Sequence, residues 1–174
     1  MNIVSKLAAL GGLGLLCTLS SVASAAEAIP VMINNNGIAF SRMQEGQVIA
    51  YDPVAAYDEH TIQVADCNAF KADLKGVSWC FSSLTNQEAF VGATTEAGAN
   101  RYVPFGGGHC SLGLANGNLT ARGDPRTAIR IGNELILNGT LDVRTRFLQD
   151  TERNLDNARL RFQLAIQNGD LVEN

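Results

Sequence analysis

The sequence predicts an α+β fold, in which a small antiparallel sheet of short strands and hairpins is packed by a short middle helix and an amphipathic C-terminal helix. Two observations carry this prediction. In several short segments apolar and polar residues alternate with a period of two, which is typical of half-buried strands. Near residue 142 the period changes to three and four, through Phe147, Thr151, Leu155, Ala158, Phe162 and Ala165.

The first 25 residues have the pattern of a secretory signal peptide. Lys6 precedes an apolar core over residues 7–19, and an A-x-A end follows at Ala25. We expect cleavage after Ala25 and a periplasmic or secreted protein. The apolar core is shorter than the about 20 residues of a membrane span, so no stable membrane insertion is expected. Cys17 follows Leu16, where a lipidated cysteine would follow a small residue.

Charge and length limit the function classes. The net charge is −4, and eight arginines beyond position 121 are matched there by eight acidic residues, so no basic face for nucleic acid is expected. The remaining length suits one domain. We predict residues 26–45 as an N-terminal extension, 46–168 as the domain and 169–174 as a C-terminal tail.

Turn signals divide the first part of the chain. Residues 34–37 (NNNG) predict a turn within a short hairpin. Residues 47–51 are β-prone and end at Asp52-Pro53, because proline lacks the donor that a strand needs.

Two further alternating segments, residues 61–64 and 77–81, are predicted as neighbouring antiparallel strands joined by a turn at 73–76. Cys67, Cys80 and Cys110 follow the signal, and three cysteines allow one internal disulfide and one other thiol. The three pairings remain open, with Cys67 and Cys80 favoured because they flank this hairpin.

A hydroxyl cap at Ser82-Ser83 predicts the middle helix over residues 84–91. Strand character is predicted for residues 111–115 and a turn for 121–125. The clearest hairpin joins residues 128–131 to 134–137 through Gly132-Asn133, a pair suited to a two-residue turn. The C-terminal helix is expected to end near Gly169.

The order of four motifs resembles the exported YHS-domain proteins. These motifs are AYDPVAAY at 50–57, GVSWCFSS at 76–83, YVPFGGGHC at 102–110, and GDP at 123–125 with GNELILN at 132–138. The family carries GYDPVAY-like, YYFSS-like and P-x-YGG-x-CA segments, then a DP turn, a G-x-LYLN strand and a final helix. The resemblance spans roughly residues 46–162 and implies a domain related to heavy-metal binders.

Departures from the family pattern bear on that implication. Metal-binding relatives place a cysteine just after DPV, where this chain has Ala55, and cysteines around FSS, where it has the single Cys80. Phe162 is the nearest aromatic to the family's final tryptophan. The chain therefore lacks most of the thiolates that its relatives use.

The triple-glycine run at 106–108 leads into the main candidate residues. His109, Cys110 and Cys80 are the predicted metal ligands, with Cys67 or His60 as further donors, and copper or zinc as the ions that thiolate and imidazole suit. The alternative is structural, with Cys110 buried and His109 at the surface.

Two other interpretations stay open. Tyr51, Asp52 and Tyr57, with Gly107 and Gly108, are candidates for a small-ligand site, while the glycines alone are explained by a crowded backbone crossing beneath Phe105 and Tyr102. Cys110 is also a candidate nucleophile or redox thiol if His109 or Arg101 provides a cation beside it.

The function predicted from sequence is an exported binding or accessory domain with a metal ion or small molecule near Cys110. Its alternatives are a thiol-dependent enzyme using Cys110 and a structural domain that contacts a protein partner. No enzymatic activity is assigned.

Overall fold

The computed structural model describes residues 28–174, and the predicted signal peptide with its cleavage site lies outside the described residues. The α+β class is confirmed. The strands are β1 (Ile29–Pro30), β2 (Asn34–Asn35), β3 (Ile38–Ala39), β4 (Ser41–Gln44), β5 (Gln47–Ala50), β6 (Lys71–Leu74), β7 (Val77–Cys80), β8 (Asp124–Ile131), β9 (Glu134–Asn138) and β10 (Leu171–Val172).

The α-helices are α1 (Leu84–Gly92), α2 (Ser111–Ala115), α3 (Leu141–Leu148) and α4 (Thr151–Asn168), with a π-helical turn at Ala55–Glu59 and a 3-10 turn at Phe105–Gly108. Over residues 28–174, no helix has the length and apolar character to cross a membrane.

The strands form several small sheets, where a single antiparallel sheet was predicted. The largest has the order β2-β3-β7-β6, and its β3–β7 pair is parallel. Strands β4 and β5 form one separate hairpin, and β8 and β9 form another. The turn predicted over residues 34–37 is confined to residues 36–37, because Asn34–Asn35 form β2, and the turn predicted at 132–133 joins β8 to β9. Parallel pairing of β1 with β10 joins the predicted extension to the predicted tail, so both segments are integral to the fold.

The hairpin that contains β7 differs from the prediction. Its other arm is β6, whereas residues 61–64 contribute only an isolated bridge between Val64 and Tyr51. Lys75 and Gly76 both have positive φ angles, 54° and 72°. Two such residues make a tight two-residue turn, so the paired arms must begin directly on either side of it.

The favoured disulfide is confirmed. Cys67 is bonded to Cys80, and the bond ties the loop before β6 to the end of β7. Cys110 is the free cysteine of the described chain.

Residues 111–115 form helix α2, so the strand predicted there is wrong. The cause is tertiary capping that a local pattern does not contain. Cys110 Sγ accepts a hydrogen bond from Gly113 N, and Asn138 Oδ1, from β9, accepts one from Leu112 N. These bonds satisfy N–H groups that a helix start leaves without partners.

The predicted turn at 121–125 is shorter, because β8 already begins at Asp124, with an irregular register between Asp124 and Ile129. The single predicted C-terminal helix is two helices. Thr140 caps α3 by accepting from Val143 N, and α4 ends at Gly169, which is left-handed as predicted.

The main hydrophobic core lies beneath the sheets and α1 and is rich in aromatic side chains. Phe90 is buried at its centre, and the buried rings of Trp79, Phe81 and Tyr102 each pack against the Phe90 ring. Two smaller clusters bury the inner faces of the C-terminal helices, through Leu114 and Ala158 in one and Ile136, Phe147 and Leu155 in the other.

A buried carboxylate connects three of these elements. Asp52 is fully buried, and its Oδ1 accepts from Val54 N at 2.8 Å and Ala55 N at 3.1 Å. Its Oδ2 accepts from Ser82 N and Ser82 Oγ, both at 2.7 Å, and from Asn86 Nδ2 at 2.8 Å. The carboxylate therefore fastens the end of β5 and the π-helical turn to the start of α1.

We expect Asp52→Ala to reduce the free energy of unfolding by about 3 kcal/mol, because it leaves several buried donors without an acceptor. Urea unfolding monitored by circular dichroism would measure the loss. Asp73→Ala is the matched control, since Asp73 accepts one exposed bond from Ser78 Oγ and its loss should cost less than about 1 kcal/mol. Equal losses in the two variants would contradict the role given to Asp52.

Candidate functional site

The glycine run makes a close backbone crossing. Gly106 and Gly107 both have φ of 62°, in the left-handed region. A Cβ on Gly107 would lie 1.9 Å from Val31 O, and Gly107 O accepts a hydrogen bond from Ile33 N at 2.8 Å. The segment at residues 31–33 thus passes directly over the loop, which explains why glycine is needed there.

The cavity beside Gly107 and Gly108, which were predicted to bind a small ligand, is too small for one. The cavity that they line, with Trp79 and Pro104 among its other walls, has a volume of about 10 Å³. That space suits about one water molecule.

Tyr51, Asp52 and Tyr57 are buried in the hydrophobic core or in hydrogen bonds to other parts of the protein. Asp52 uses both carboxylate oxygens as described above, and Tyr57 donates from its hydroxyl to Asn133 O at 3.3 Å. The Tyr57 ring meets Tyr102 edge-on with centroids 5.4 Å apart. The three predicted residues therefore hold elements together and do not line the larger grooves described below.

Substituting Gly107 should be far more costly than substituting a glycine with the same kind of backbone but free space. Gly98 has φ of 73° and no atom within 4 Å of an added Cβ. We expect Gly98→Ala to cost about 1 kcal/mol, from backbone strain alone. Gly107→Ala should cost several-fold more or prevent folding, as measured by thermal unfolding and soluble yield. Similar stabilities for the two variants would argue against the crossing.

His109 is buried, so the structural alternative was wrong in placing it at the surface, although Cys110 is buried as that alternative predicted. Its ring Nε2 lies 3.0 Å from Pro30 O, which makes Nε2 the protonated nitrogen, since a carbonyl oxygen can only accept. Within residues 28–174, Nδ1 has no hydrogen-bond partner. Burial lowers the pKa of His109, although the bond to the Pro30 carbonyl opposes this effect. The ring is therefore held neutral.

A neutral buried histidine makes stability depend on pH. Below pH 6.5, the ordinary pKa of histidine, His109 is protonated in the unfolded chain but stays neutral in the folded one. The free energy of unfolding should therefore fall as pH decreases. Urea unfolding at about pH 7.5 and about pH 5.5 would measure the slope. His109→Gln should reduce it, and replacing the exposed His60 with Asn should leave it in place. An unchanged slope in His109→Gln would contradict this assignment.

The structure does not bring the predicted metal ligands together as a set. Cys80 is committed to the disulfide with Cys67, so it offers no thiolate. His109 directs one ring nitrogen to the Pro30 carbonyl. Across the described chain, no group of three or more His, Cys, Asp or Glu residues is placed to hold a metal ion. The expectation of copper or zinc lacks a coordinating cluster here.

Cys110 occupies a distinctive polar setting. Its residue is 4% exposed, and its Sγ accepts backbone hydrogen bonds from Gly113 N at 3.4 Å and Gly139 N at 3.3 Å. The Cys110 thiol in turn donates a weak hydrogen bond to Asn138 Oδ1, which lies 3.9 Å from Sγ. Arg101, which was predicted as a possible cation beside Cys110, donates to Tyr102 Oη at 2.6 Å.

An open groove lies next to this cysteine. It has a volume of about 460 Å³ and is lined by Asn35, Ser41, Arg42, Met43, Arg122, Gly123, Asp124 and Gly139. We call it the arginine groove. A Cβ on Gly139 would lie 3.9 Å from Cys110 Sγ, so the backbone of a single glycine separates the groove from the thiol.

The arginine groove has an excess of positive charge. Although burial raises the pKa of Asp124, the hydrogen bond and charge of Arg126, with the charge of Arg42, hold it below its ordinary value. Arg126 Nη2 lies 2.6 Å from Asp124 Oδ2, whereas Arg42 Nε lies 3.9 Å from it. Arg122 Nη2 donates to Asn34 O and Asn35 Oδ1, and within the described ranges it forms no salt bridge. Two guanidinium groups thus line the groove beside one largely neutralised carboxylate.

The sequence interpretation missed the groove residues Arg42, Arg122 and Gly139, as well as Asn138. Arg122 was part of a predicted turn, and Asn138 and Gly139 follow directly after the strand predicted over residues 134–137. No local signal relates residue 42 to residue 122, because their proximity arises only when β4 packs beside β8. The Asn-Gly pair after the β9 run is the one local feature that could have drawn attention.

Comparison with known proteins does not assign this chain to a family. No protein-family model, curated protein or solved structure matches the chain. The resemblance to exported YHS-domain proteins stays a prediction from the motifs.

Proposed function

We propose that this chain is an exported small-molecule-binding domain of the YHS-like type, and that its ligand is a small organic anion bound in the arginine groove beside Cys110. The observation that carries the proposal is the pair of guanidinium groups, Arg42 and Arg122, lining one groove of about 460 Å³. The family assignment within this proposal rests on the motif order, and the export rests on the signal pattern.

The donor geometry favours a carboxylate or phosphate group. A guanidinium presents a planar fork of N–H donors that matches such oxyanions. Arg122 is held in place through Nη2, and its Nη1 and Nε make no hydrogen bond within residues 28–174. A preoriented cation with unused donors loses little freedom when it binds an anion.

The size of the groove favours a small molecule. Ligand sites for such compounds usually enclose about 300–1,000 Å³. A long acidic polymer would need an extended basic surface, and the chain has a net charge of −4. Arg42 and Arg122 line a single groove of this size, so we expect a compact anion to fit it.

A small molecule is favoured over a metal ion for a chemical reason. A closed site for zinc or copper wants about four soft or imidazole donors, and the disulfide removes Cys80 from the set that was predicted. The arginine groove offers guanidinium groups, whose positive charge repels a metal cation and attracts an anion.

The test is a titration with inorganic phosphate and with succinate at constant ionic strength, followed by amide NMR shifts. Saturable shifts are expected at Gly123 and Gly139, which line the groove. Arg122→Gln should weaken binding by about tenfold or more, the usual size of a lost charged contact.

Arg153→Gln is the matched control. Arg153 lies on α4, its side chain is 73% exposed, and it pairs with Asp150 at 3.0 Å, away from the residues that line the groove, so its loss should not change affinity. Equal weakening by both variants would indicate nonspecific charge attraction. An absence of saturable shifts with either anion would reject the proposal and favour the ligand-free structural alternative.

A further inference from the structure

A second groove continues the arginine groove at one end. It has a volume of about 300 Å³ and is lined by Asp124, Arg126, Thr127, Thr140, Leu141 and Asp142. We call it the leucine groove. Asp124 lines both grooves, and both lie between the same two stretches of chain, residues 122–127 and residues 139–142. A ligand bound in the arginine groove therefore has a direct way into the leucine groove.

Most of the surface of the leucine groove is apolar. Leu141 supplies an aliphatic side chain that is 55% exposed. Thr127 is buried, and its Oγ1 lies 2.7 Å from both Asp124 O and Asn138 O, so its hydroxyl is committed inside the protein. Apolar ligand atoms that cover Leu141 would remove hydrocarbon surface from water, which is favourable.

The charges along the two grooves favour an anionic group at one end only. Asp124 Oδ1 and Oδ2 both accept from Arg126 Nε at 3.1 Å, so this pair is largely neutral. At the far end, the carboxylate of Asp142 forms no salt bridge among residues 28–174. A second anionic group on the ligand would be repelled by this carboxylate, whereas an uncharged chain would not. The charges therefore favour a monoanion.

The distance between the grooves suits a short chain. Thr140 has φ of −146° and ψ of 168°, so the backbone from Gly139 to Leu141 is extended. Two residues of extended backbone span about 7 Å, a length that about five or six carbon–carbon bonds cover. A carboxylate held beside Gly139 would therefore place the end of a chain of that length next to Leu141.

We propose that the ligand is an organic acid with a short apolar chain, an extension that rests on the anion binding proposed for the arginine groove. Its carboxylate binds Arg42 and Arg122, and its chain lies in the leucine groove against Leu141. The guanidinium groups recognise the head of the ligand, and the apolar surface beyond Asp124 recognises its tail.

The test compares acetate with hexanoate, which carry the same carboxylate on chains of different length. Both titrations use constant ionic strength and amide NMR shifts. Complete burial of one CH₂ group is worth about fourfold in affinity, so partial burial in an open groove should make hexanoate bind about tenfold more tightly or better. Shifts at Gly123 and Gly139 are expected with both acids, and shifts at Thr127 and Leu141 with hexanoate alone.

Failure of the tail and failure of the head give different results. If acetate or phosphate binds but hexanoate binds no more tightly than acetate, the apolar tail is rejected while anion binding stands. If no anion gives saturable shifts, both are rejected. Adipate adds a second carboxylate to a chain of the same length as hexanoate and should bind about threefold more weakly or worse, because Asp142 repels it. Equal or tighter binding of adipate would overturn the apolar tail.

Leu141→Asn tests the position of the chain. Leu141 is a half-exposed first residue of α3, and its carbonyl still accepts from Thr145 Oγ1 in the variant, so the fold should persist. The gain of hexanoate over acetate should fall to about threefold or less, with acetate affinity unchanged.

Leu160→Asn is the matched control. Leu160 is 57% exposed on α4 and lines neither groove, so this variant should keep the full gain of hexanoate over acetate. Retention of the gain in Leu141→Asn, or its loss in Leu160→Asn, would overturn the placement of the chain in the leucine groove.

Discussion

The close passage of residues 31–33 over Gly107 is the constraint on which the glycine loop and its surroundings depend. The hydrogen bond from Ile33 N to Gly107 O holds the two backbones together at a distance that excludes any side chain. The same passage brings the Pro30 carbonyl to the ring of His109. Asn174 then closes over it, accepting from Met32 N and donating to Met32 O, both at 2.8 Å. One missing Cβ therefore allows three separate segments to meet.

Buried polar groups, more than apolar area, define the arrangement around the candidate site. Asp52 gathers donors from two elements, and Thr127 Oγ1 accepts from Asn138 N at 2.8 Å. That bond fixes β9 where its last residue can reach Leu112 N and Cys110. Satisfied polar networks of this kind specify one geometry because each alternative leaves a group unpaired. Within residues 28–174, the buried side-chain atoms without a hydrogen-bond partner are His109 Nδ1, Ser111 Oγ and Asn138 Nδ2, all close to the candidate site in the sequence or in the fold.

Local signals were sufficient for the parts of the fold that local chemistry determines. The Ser83 cap begins α1, the Gly132-Asn133 turn joins β8 to β9, and Gly169 ends α4, each close to the predicted position. The failures share a different cause. Helix α2 depends on a cap from Asn138, 26 residues from Leu112, and β3 pairs in parallel with β7 through Ile38 and Ser78, which are 40 residues apart. A period-two pattern does not identify a partner strand, and a short apolar segment does not reveal a distant cap.

The pairing of residues 29–32 with residues 171–174 has a consequence for the order of folding. Ile29 and Pro30 pair with Leu171 and Val172, and Met32 N donates to Asn174 Oδ1 across a sequence separation of 142 residues. Contacts of such long sequence separation form late, because the intervening chain must first be ordered. The β1–β10 pair is therefore expected to close only after the hairpins and helices between these strands have formed.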